Sequence, residues 1–116
     1  MRVLVCGGRD FYDYGLIYQT LKDILITIII EGGAKGADSL ANRYGVEENI
    51  DVVTFQAPWK LYGKRAGYIR NKQMLDEGKP ELVVAFPGGK GTASMVELAK
   101  KAGVPVKQIV KGPFDA

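Results

Sequence analysis

The segment that most constrains the fold is a short apolar run at residues 82–86, followed by a glycine-rich loop. An uninterrupted run of this length, rich in β-branched residues, is typical of a strand buried on both faces of a parallel sheet. Pro87 ends the strand because it has no N–H to donate to a neighbouring strand. Three glycines follow, and Thr92 lies where a helix N-cap is expected. Strand, glycine loop and helix start together predict backbone N–H groups presented to a phosphate or carboxylate.

The same alternation of apolar runs and helical patterns extends along the chain. It predicts an α/β fold, a Rossmann-like three-layer sandwich of about five parallel strands in the order 3-2-1-4-5, as one domain over residues 1–116. Residues 57–67 contain one proline and two glycines without an apolar period, and they are predicted to form a long loop. The predicted strands are residues 2–6, 26–30, 52–55, 82–86 and 106–110, and the last two predicted helices are residues 68–75 and 93–102.

The composition excludes several classes of chemistry. The chain has no histidine and one cysteine, which removes Ser-His-Asp triads, histidine-ligated metals and internal disulfides. Cys6 ends an apolar strand and is interpreted as a buried, inert thiol. No apolar run approaches the ~20 residues that cross a bilayer, and the sequence opens directly on a strand pattern, so we expect no signal peptide. We therefore expect a cytoplasmic protein without membrane association, metal or cofactor.

The loops that follow the strands are expected at one edge of the sheet, where ligands bind in such folds. Three of these four loops are glycine-rich. Half of the sixteen basic residues lie in or just after the four loops. Only Asp10 and Asp38 oppose this charge locally, so the edge is predicted to bind an anionic small ligand, most simply a nucleotide. The predicted ligand-binding residues are Gly7, Gly8, Arg9, Asp10, Gly33, Lys35, Gly36, Asp38, Arg70, Asn71, Pro87, Gly88, Gly89, Lys90, Gly91 and Thr92.

Several of these features also have purely structural interpretations. Glycines after parallel strands often serve only a tight turn, and Asp38 is equally consistent with a helix cap. Arg70 alone fits a solvated helix charge. Trp59 and Tyr62 either stack on a base or pack over the sheet edge. No loop matches the dinucleotide fingerprint G-x-G-x-x-G or a Walker A loop, which disfavours both of those sites.

Four motifs occur in an order that resembles a known superfamily. They are G-G-R-D-F at residues 7–11, G-G-A-K-G-A-D at 32–38, I-R-N-K-Q-M at 69–74 and P-G-G-K-G-T at 87–92. Together they resemble the SLOG superfamily, which includes the Lonely-guy phosphoribohydrolases, the DNA-processing protein A fold and the YpsA-like proteins. The resemblance is strongest to the short YspA/YpsA-related branch. It implies binding of a nucleotide or nucleotide-derived ligand and association into a homodimer or larger homo-oligomer.

The chain departs from the phosphoribohydrolase pattern P-G-G-x-G-T-x-x-E. The glutamate position is occupied by Met95, which cannot act as an acid, a base or a charge stabiliser. Glu97 lies two residues further on, about 200° around the helix, and is interpreted as a surface residue. Arg70 matches the arginine of those enzymes, but Asn71 stands where they carry a lysine. We therefore predict a sensor or carrier rather than an enzyme.

In the predicted binding mode, the glycine loops after the first and fourth strands hold a phosphate through backbone N–H groups. Arg9, Arg70 and Lys90 add charge-assisted hydrogen bonds, and Asp10 or Asp38 accepts from ribose hydroxyls.

Two alternative functions remain open. The first is N-glycoside hydrolysis of a nucleoside monophosphate or an ADP-ribose-like substrate, in which a carboxylate stabilises an oxocarbenium-like transition state. Its candidate catalytic residues are Asp10, Asp38 and Arg70. The second is a module that binds single-stranded nucleic acid through the basic edge. The modest net charge of +3 and the glycine-lined cleft favour a small ligand over nucleic acid.

Overall fold

The computed structural model describes residues 1–110, which contain a five-stranded, all-parallel sheet. The strands lie in the order β3-β2-β1-β4-β5. This order confirms the predicted Rossmann-like α/β fold. The strands are β1 (Arg2–Cys6), β2 (Ile28–Glu31), β3 (Asp51–Thr54), β4 (Leu82–Ala85) and β5 (Val106–Gln108).

Helices cover both faces of the sheet. They are α1 (Tyr14–Leu21), α2 (Ala37–Glu47), α3 (Trp59–Tyr62), α4 (Ala66–Gly78) and α5 (Lys90–Lys101), with a 3-10 turn at Gly63–Arg65. Successive residues of β1 point to opposite faces of the sheet. Val3 and Val5 therefore pack with α1 and α2, whereas Leu4 and Cys6 pack with α4 and α5. None of the helices in this described part of the chain has the length and apolar character to cross a bilayer.

The pairing of the central strand β1 with β2 and β4 brings the carboxyl ends of these three strands to one edge of the sheet. Leu4 pairs with Ile30 of β2 on one side and with Val83 of β4 on the other. The loops that follow these three strands therefore lie side by side. The strand order reverses between β1 and β4, which is where ligands bind in open α/β sheets.

Several element boundaries differ from the prediction, and two of the differences have clear physical reasons. Residues 57–67 are not one loop, because they contain α3, the 3-10 turn and the first turn of α4. Neither α3 nor the 3-10 turn has a buried residue, so neither leaves an apolar period in the sequence. The second strand begins at Ile28 rather than at residue 26. Because Arg2, the first residue of β1, pairs with Ile28, residues 26 and 27 lie beyond the start of β1.

Candidate functional site

A cavity of about 530 Å³ lies at the carboxyl edge of the sheet. Its walls come from the loops after β1 and β4, the start of α5, and the segment from α3 to α4. Both its position and its size are ordinary for a ligand site in an α/β fold. The predicted site residues that line it are Gly7, Gly8, Arg9, Asp10, Asp38, Arg70, Asn71, Gly89, Lys90, Gly91 and Thr92.

The Gly8 peptide connects three loops at this edge. Its N–H donates to the Pro87 carbonyl at 2.9 Å, and its carbonyl accepts from Phe11 N at 3.2 Å and from Ala37 N at 3.1 Å. Gly36 permits this approach, because it has a φ of 76° and a Cβ there would overlap the Gly8 carbonyl oxygen. Gly36 thus serves the packing of the loops and does not line the cavity. The sequence predicted that the Gly8 N–H donates to a phosphate, but this N–H already donates to Pro87.

Helix α5 begins at the cavity without a side-chain cap. Its N-cap is Gly89, and no side chain within the described part of the chain caps it. The first four N–H groups of an α-helix have no partner within the helix and carry partial positive charge. Thr92, predicted as the N-cap, lies instead in the first turn. A Cβ at Gly91 would meet no described atom within 4 Å, although glycine in a helix costs about 1 kcal/mol relative to alanine.

Arg70 lies between the loop after β2 and the start of α5. Its guanidinium donates to the Gly32 carbonyl and, at 3.0 Å, to the Asn71 side-chain oxygen. Asn71 is buried and donates from its side-chain nitrogen to the Gly91 carbonyl at 3.3 Å. Burial lowers the pKa of Arg70, which the Asp38 charge opposes, and the guanidinium stays charged. A fixed cation therefore stands beside the uncapped helix start.

The cavity carries more positive than negative side chains. Its basic residues are Arg9, Lys64, Arg70 and Lys90, and its acidic residues are Asp10 and Asp38. The ion pairs found among residues 1–110 join side chains one helical turn apart on α2, α4 and α5, and they include none of these four cations. A concave surface with free positive charge favours an anionic ligand.

Asp38 is the buried carboxyl group of the cavity, with 7% of the residue exposed. It lies in the first turn of α2 and accepts from Ala34 N at 3.1 Å, whereas the N-cap of that helix is Gly36. Burial raises the pKa of Asp38 to about 6; the nearby Glu31 charge adds to the rise and the Ala34 N–H opposes it. A carboxyl group with this pKa exchanges its proton close to neutral pH.

We expect the Asp38 carboxyl to make stability fall as pH rises through mild acid. Its folded-state pKa of about 6 lies above its ordinary value of 3.8, so the folded state binds the proton more tightly. Its stabilising contribution is complete below pH 3.8 and lost as pH rises to about 6. Across this window the wild type should lose up to about 3 kcal/mol of unfolding free energy relative to Asp38→Asn. Urea denaturation of both proteins measures the difference, and parallel pH curves would contradict the prediction.

Comparison with known proteins identifies the family. The YAcAr family, described as the YspA, cpYpsA-related SLOG family, matches residues 1–62. The Gene 61 protein of Mycobacterium phage D29 is 35% identical to this chain over an alignment of 117 positions, and the alignment includes 90% of this chain and 93% of the phage protein. The chain belongs to the YspA, cpYpsA-related SLOG family. SLOG membership indicates a nucleotide-related function on a Rossmann-like fold.

The acidic position of the SLOG phosphoribohydrolase motif is filled by a buried side chain in this member. Met95 is 1% exposed and lines the cavity. Glu97 is exposed and pairs with Lys101 at 3.2 Å, as expected for a surface residue. The carboxyl groups that do line the cavity, Asp10 and Asp38, come from the loop after β1 and the start of α2.

Four other predicted site residues of this SLOG protein lie in neighbouring cavities. Gly33 and Lys35 line a second cavity of about 420 Å³. Pro87 and Gly88 line a third of about 280 Å³, between α5 and the segment after β5. The loop after β2 thus contributes Ala34 to the main cavity, whereas Gly33 and Lys35 of the same loop line the cavity beside it.

Sequence reasoning missed part of the cavity wall. Lys64 and Tyr68 line the cavity from the segment after β3, and Trp59, whose role the sequence left open, lies there too. The Arg9 guanidinium is 5.6 Å from the Trp59 ring centroid. Their position could have been predicted, because the segment that follows β3 begins at the same carboxyl edge of the sheet as the other loops. Cys6 also lines the cavity, and burial raises the pKa of its thiol to about 12, which makes it inert.

Proposed function

We propose that this SLOG-family protein binds a nucleotide or nucleotide-derived small molecule, as a sensor or carrier. The observation that carries the proposal is the combination of an uncapped helix start with four basic side chains in one cavity, none of them in a described ion pair. Backbone N–H groups at a helix start bind phosphate, and arginine and lysine strengthen that binding. Family membership supports a nucleotide as the source of the phosphate.

In this proposal the phosphate binds at the start of α5. The N–H groups that follow Gly89 donate to it, and Lys90 and Arg70 add charge-assisted hydrogen bonds. Because Gly91 has no side chain, a phosphate can approach the backbone of α5 closely. This accounts for a glycine at a helical position where alanine would be more stable. The half-exposed ring of Trp59 supplies a face for a base, and Asp10 or Asp38 accepts from ribose hydroxyls.

A thermal-shift and calorimetric screen of the common 5′-mononucleotides tests the proposal. We expect at least one of them to raise Tm in a concentration-dependent manner, because a ligand that binds only the folded state stabilises it. Lys90→Gln should weaken that binding. Lys100→Gln, an exposed lysine in the last turn of the same helix, should not.

The screen also separates the alternatives. No shift with any mononucleotide, together with single-stranded DNA binding that weakens steeply with salt, would replace the proposal with a nucleic-acid-binding function. A nucleotide recovered intact after incubation supports a sensor or carrier.

One observation favours N-glycoside hydrolysis as a second candidate. Burial raises the pKa of Asp38 to about 6 inside the cavity, which suits a proton-transfer role near neutral pH. Release of free base from a mononucleotide that stops in Asp38→Asn, with binding retained, would support this function. The same analysis of Asp10→Asn tests the exposed carboxylate. Turnover that is unchanged in both variants would exclude both carboxylates from the chemistry.

A further inference from the structure

We propose that the ligand carries a second phosphate, separated from the first, which binds in the adjoining cavity behind Arg9 and Trp59. This inference rests on the proposed function, because the first phosphate is the one placed at α5. It assigns a second anion site and narrows the ligand to nucleotides whose two phosphates are separated by a spacer.

The two cavities share a wall. The second cavity, of about 420 Å³, is bounded by the loop after β2 and by residues 56 and 57. Arg9, Ala34, Trp59 and Arg70 line both cavities. The Arg9 guanidinium lies 5.6 Å from the centroid of the Trp59 ring. A ligand lying along this wall therefore has space on both sides of the pair.

The second cavity has a more one-sided charge than the first. Among residues 1–110, Arg9, Lys35 and Arg70 line it and no carboxylate does, whereas Asp10 and Asp38 line the first cavity. Lys35 takes part in none of the ion pairs that join residues within 1–110. Cations that take part in no described ion pair favour a second anionic group.

The nearby buried acid, Glu31, forms no described ion pair with these cations, although its charge opposes the fall in the pKa of Arg70. Glu31 is 1% exposed, and its carboxylate accepts from Gly33 N at 2.5 Å, from the Thr54 hydroxyl and from the Asn42 amide. Its oxygens therefore already accept hydrogen bonds from the loop after β2, from α2 and from β3. Gln56, whose side chain lies against Gly33, adds an amide that can donate to a phosphate.

The shared wall determines the kind of ligand. Each residue of this wall lines both cavities, so at its thinnest the wall is one side chain thick. Groups in van der Waals contact with opposite faces of one side chain lie roughly 7 Å apart, twice the optimal separation of two carbon atoms. The two phosphates of a nucleoside 5′-diphosphate share a bridging oxygen and therefore remain on one side of the wall. A ribose between two phosphates provides a spacer. The class is thus a nucleoside 3′,5′-bisphosphate, or the same unit within a dinucleotide.

Isothermal titration calorimetry with matched nucleotides tests the inference. For each common base, the 5′-monophosphate, the 5′-diphosphate and the 3′,5′-bisphosphate are titrated into wild type, Lys35→Gln and Lys60→Gln. We expect the bisphosphate to bind at least about tenfold more tightly than the monophosphate, and more tightly than the diphosphate. Lys35→Gln should remove this advantage and leave monophosphate binding unchanged. Lys60→Gln makes the same charge change in α3, outside both cavities, and should retain the advantage.

The outcomes distinguish this inference from the proposed function. Monophosphate binding without a bisphosphate advantage, or an advantage that survives in Lys35→Gln, overturns the second site alone. An equal advantage for the diphosphate would show that total charge, and not separation, is recognised, and would also overturn it. Failure of every nucleotide to bind overturns both.

Discussion

Replacing Arg70 with glutamine should weaken mononucleotide binding by at least about a hundredfold. The guanidinium is fixed by the Gly32 carbonyl and the Asn71 side chain, so it meets a phosphate without further ordering. Hydrogen bonds to charged groups contribute about 1.5–3 kcal/mol each, and a bidentate contact makes two. Arg70→Lys should recover little of the loss, because an ammonium cannot bond to Gly32, Asn71 and a phosphate in the same planar arrangement.

Lys72→Gln is the matched control for this prediction. Lys72 lies on the same helix, is exposed and pairs with Asp76 at 3.5 Å, so its removal makes the same charge change away from the cavity. Binding should be measured by calorimetry well below the Tm of each variant, because Arg70→Gln also leaves the Gly32 carbonyl without its donor. Equal losses of affinity in Arg70→Gln and Lys72→Gln would mean that the ligand responds only to the net charge of the protein. Arg70 would then not be a ligand-binding residue.

Gly36→Ala should destabilise the fold by about 4 kcal/mol and reduce ligand binding with it. Gly36 has a φ of 76° and a ψ of −125°, a conformation that costs a non-glycine residue about 1–3 kcal/mol, and the new Cβ would also overlap the Gly8 carbonyl oxygen. That oxygen belongs to backbone, so relief requires movement of the loop after β1. Chemical denaturation measures the loss of unfolding free energy.

Gly103→Ala separates the two causes. Gly103 has a φ of 77°, close to the 76° of Gly36, but a Cβ there meets no described atom within 4 Å. We expect this variant to lose only the conformational term, about 1–2 kcal/mol, with ligand binding retained. Similar losses of unfolding free energy in the two variants would mean that the overlap of the new Cβ with the Gly8 carbonyl oxygen is relieved at no cost.

The fold was predictable because its signals are local. Strands β1, β2 and β4 are short, mainly apolar runs followed within two residues by glycine or proline, and residues 82–87 show the pattern most clearly. Right-handed crossovers predicted that the loops after the strands share one edge, and the strand order was predicted as the one typical of Rossmann-like folds. Segments that bury nothing carry no such signal, which is why α3 and the 3-10 turn were not predicted.

The candidate site was predictable as a location but not in its detail. Thr92 and Gly89 are both acceptable N-caps by residue type, so the sequence could not place the start of α5. The sequence also could not show that the Gly8 N–H is taken by Pro87, because that contact joins distant segments. The division of the edge into cavities depends on where Arg9 and Trp59 lie in three dimensions. The homo-oligomer implied by the SLOG resemblance remains a prediction, testable from the mass of the protein in solution.

The hydrogen bonds of the Gly8 peptide determine when the site can exist during synthesis. The loop after β1 leaves the ribosome early, yet its partners Ala37 and Pro87 are translated later, and Pro87 just before α5. Until α5 has emerged and β4 has joined β1, the growing chain has neither the anchored loop nor the helix start beside it. A truncated product that stops before β4 would therefore be unable to hold a phosphate there. Ligand binding would then distinguish completed, folded chains from unfinished ones.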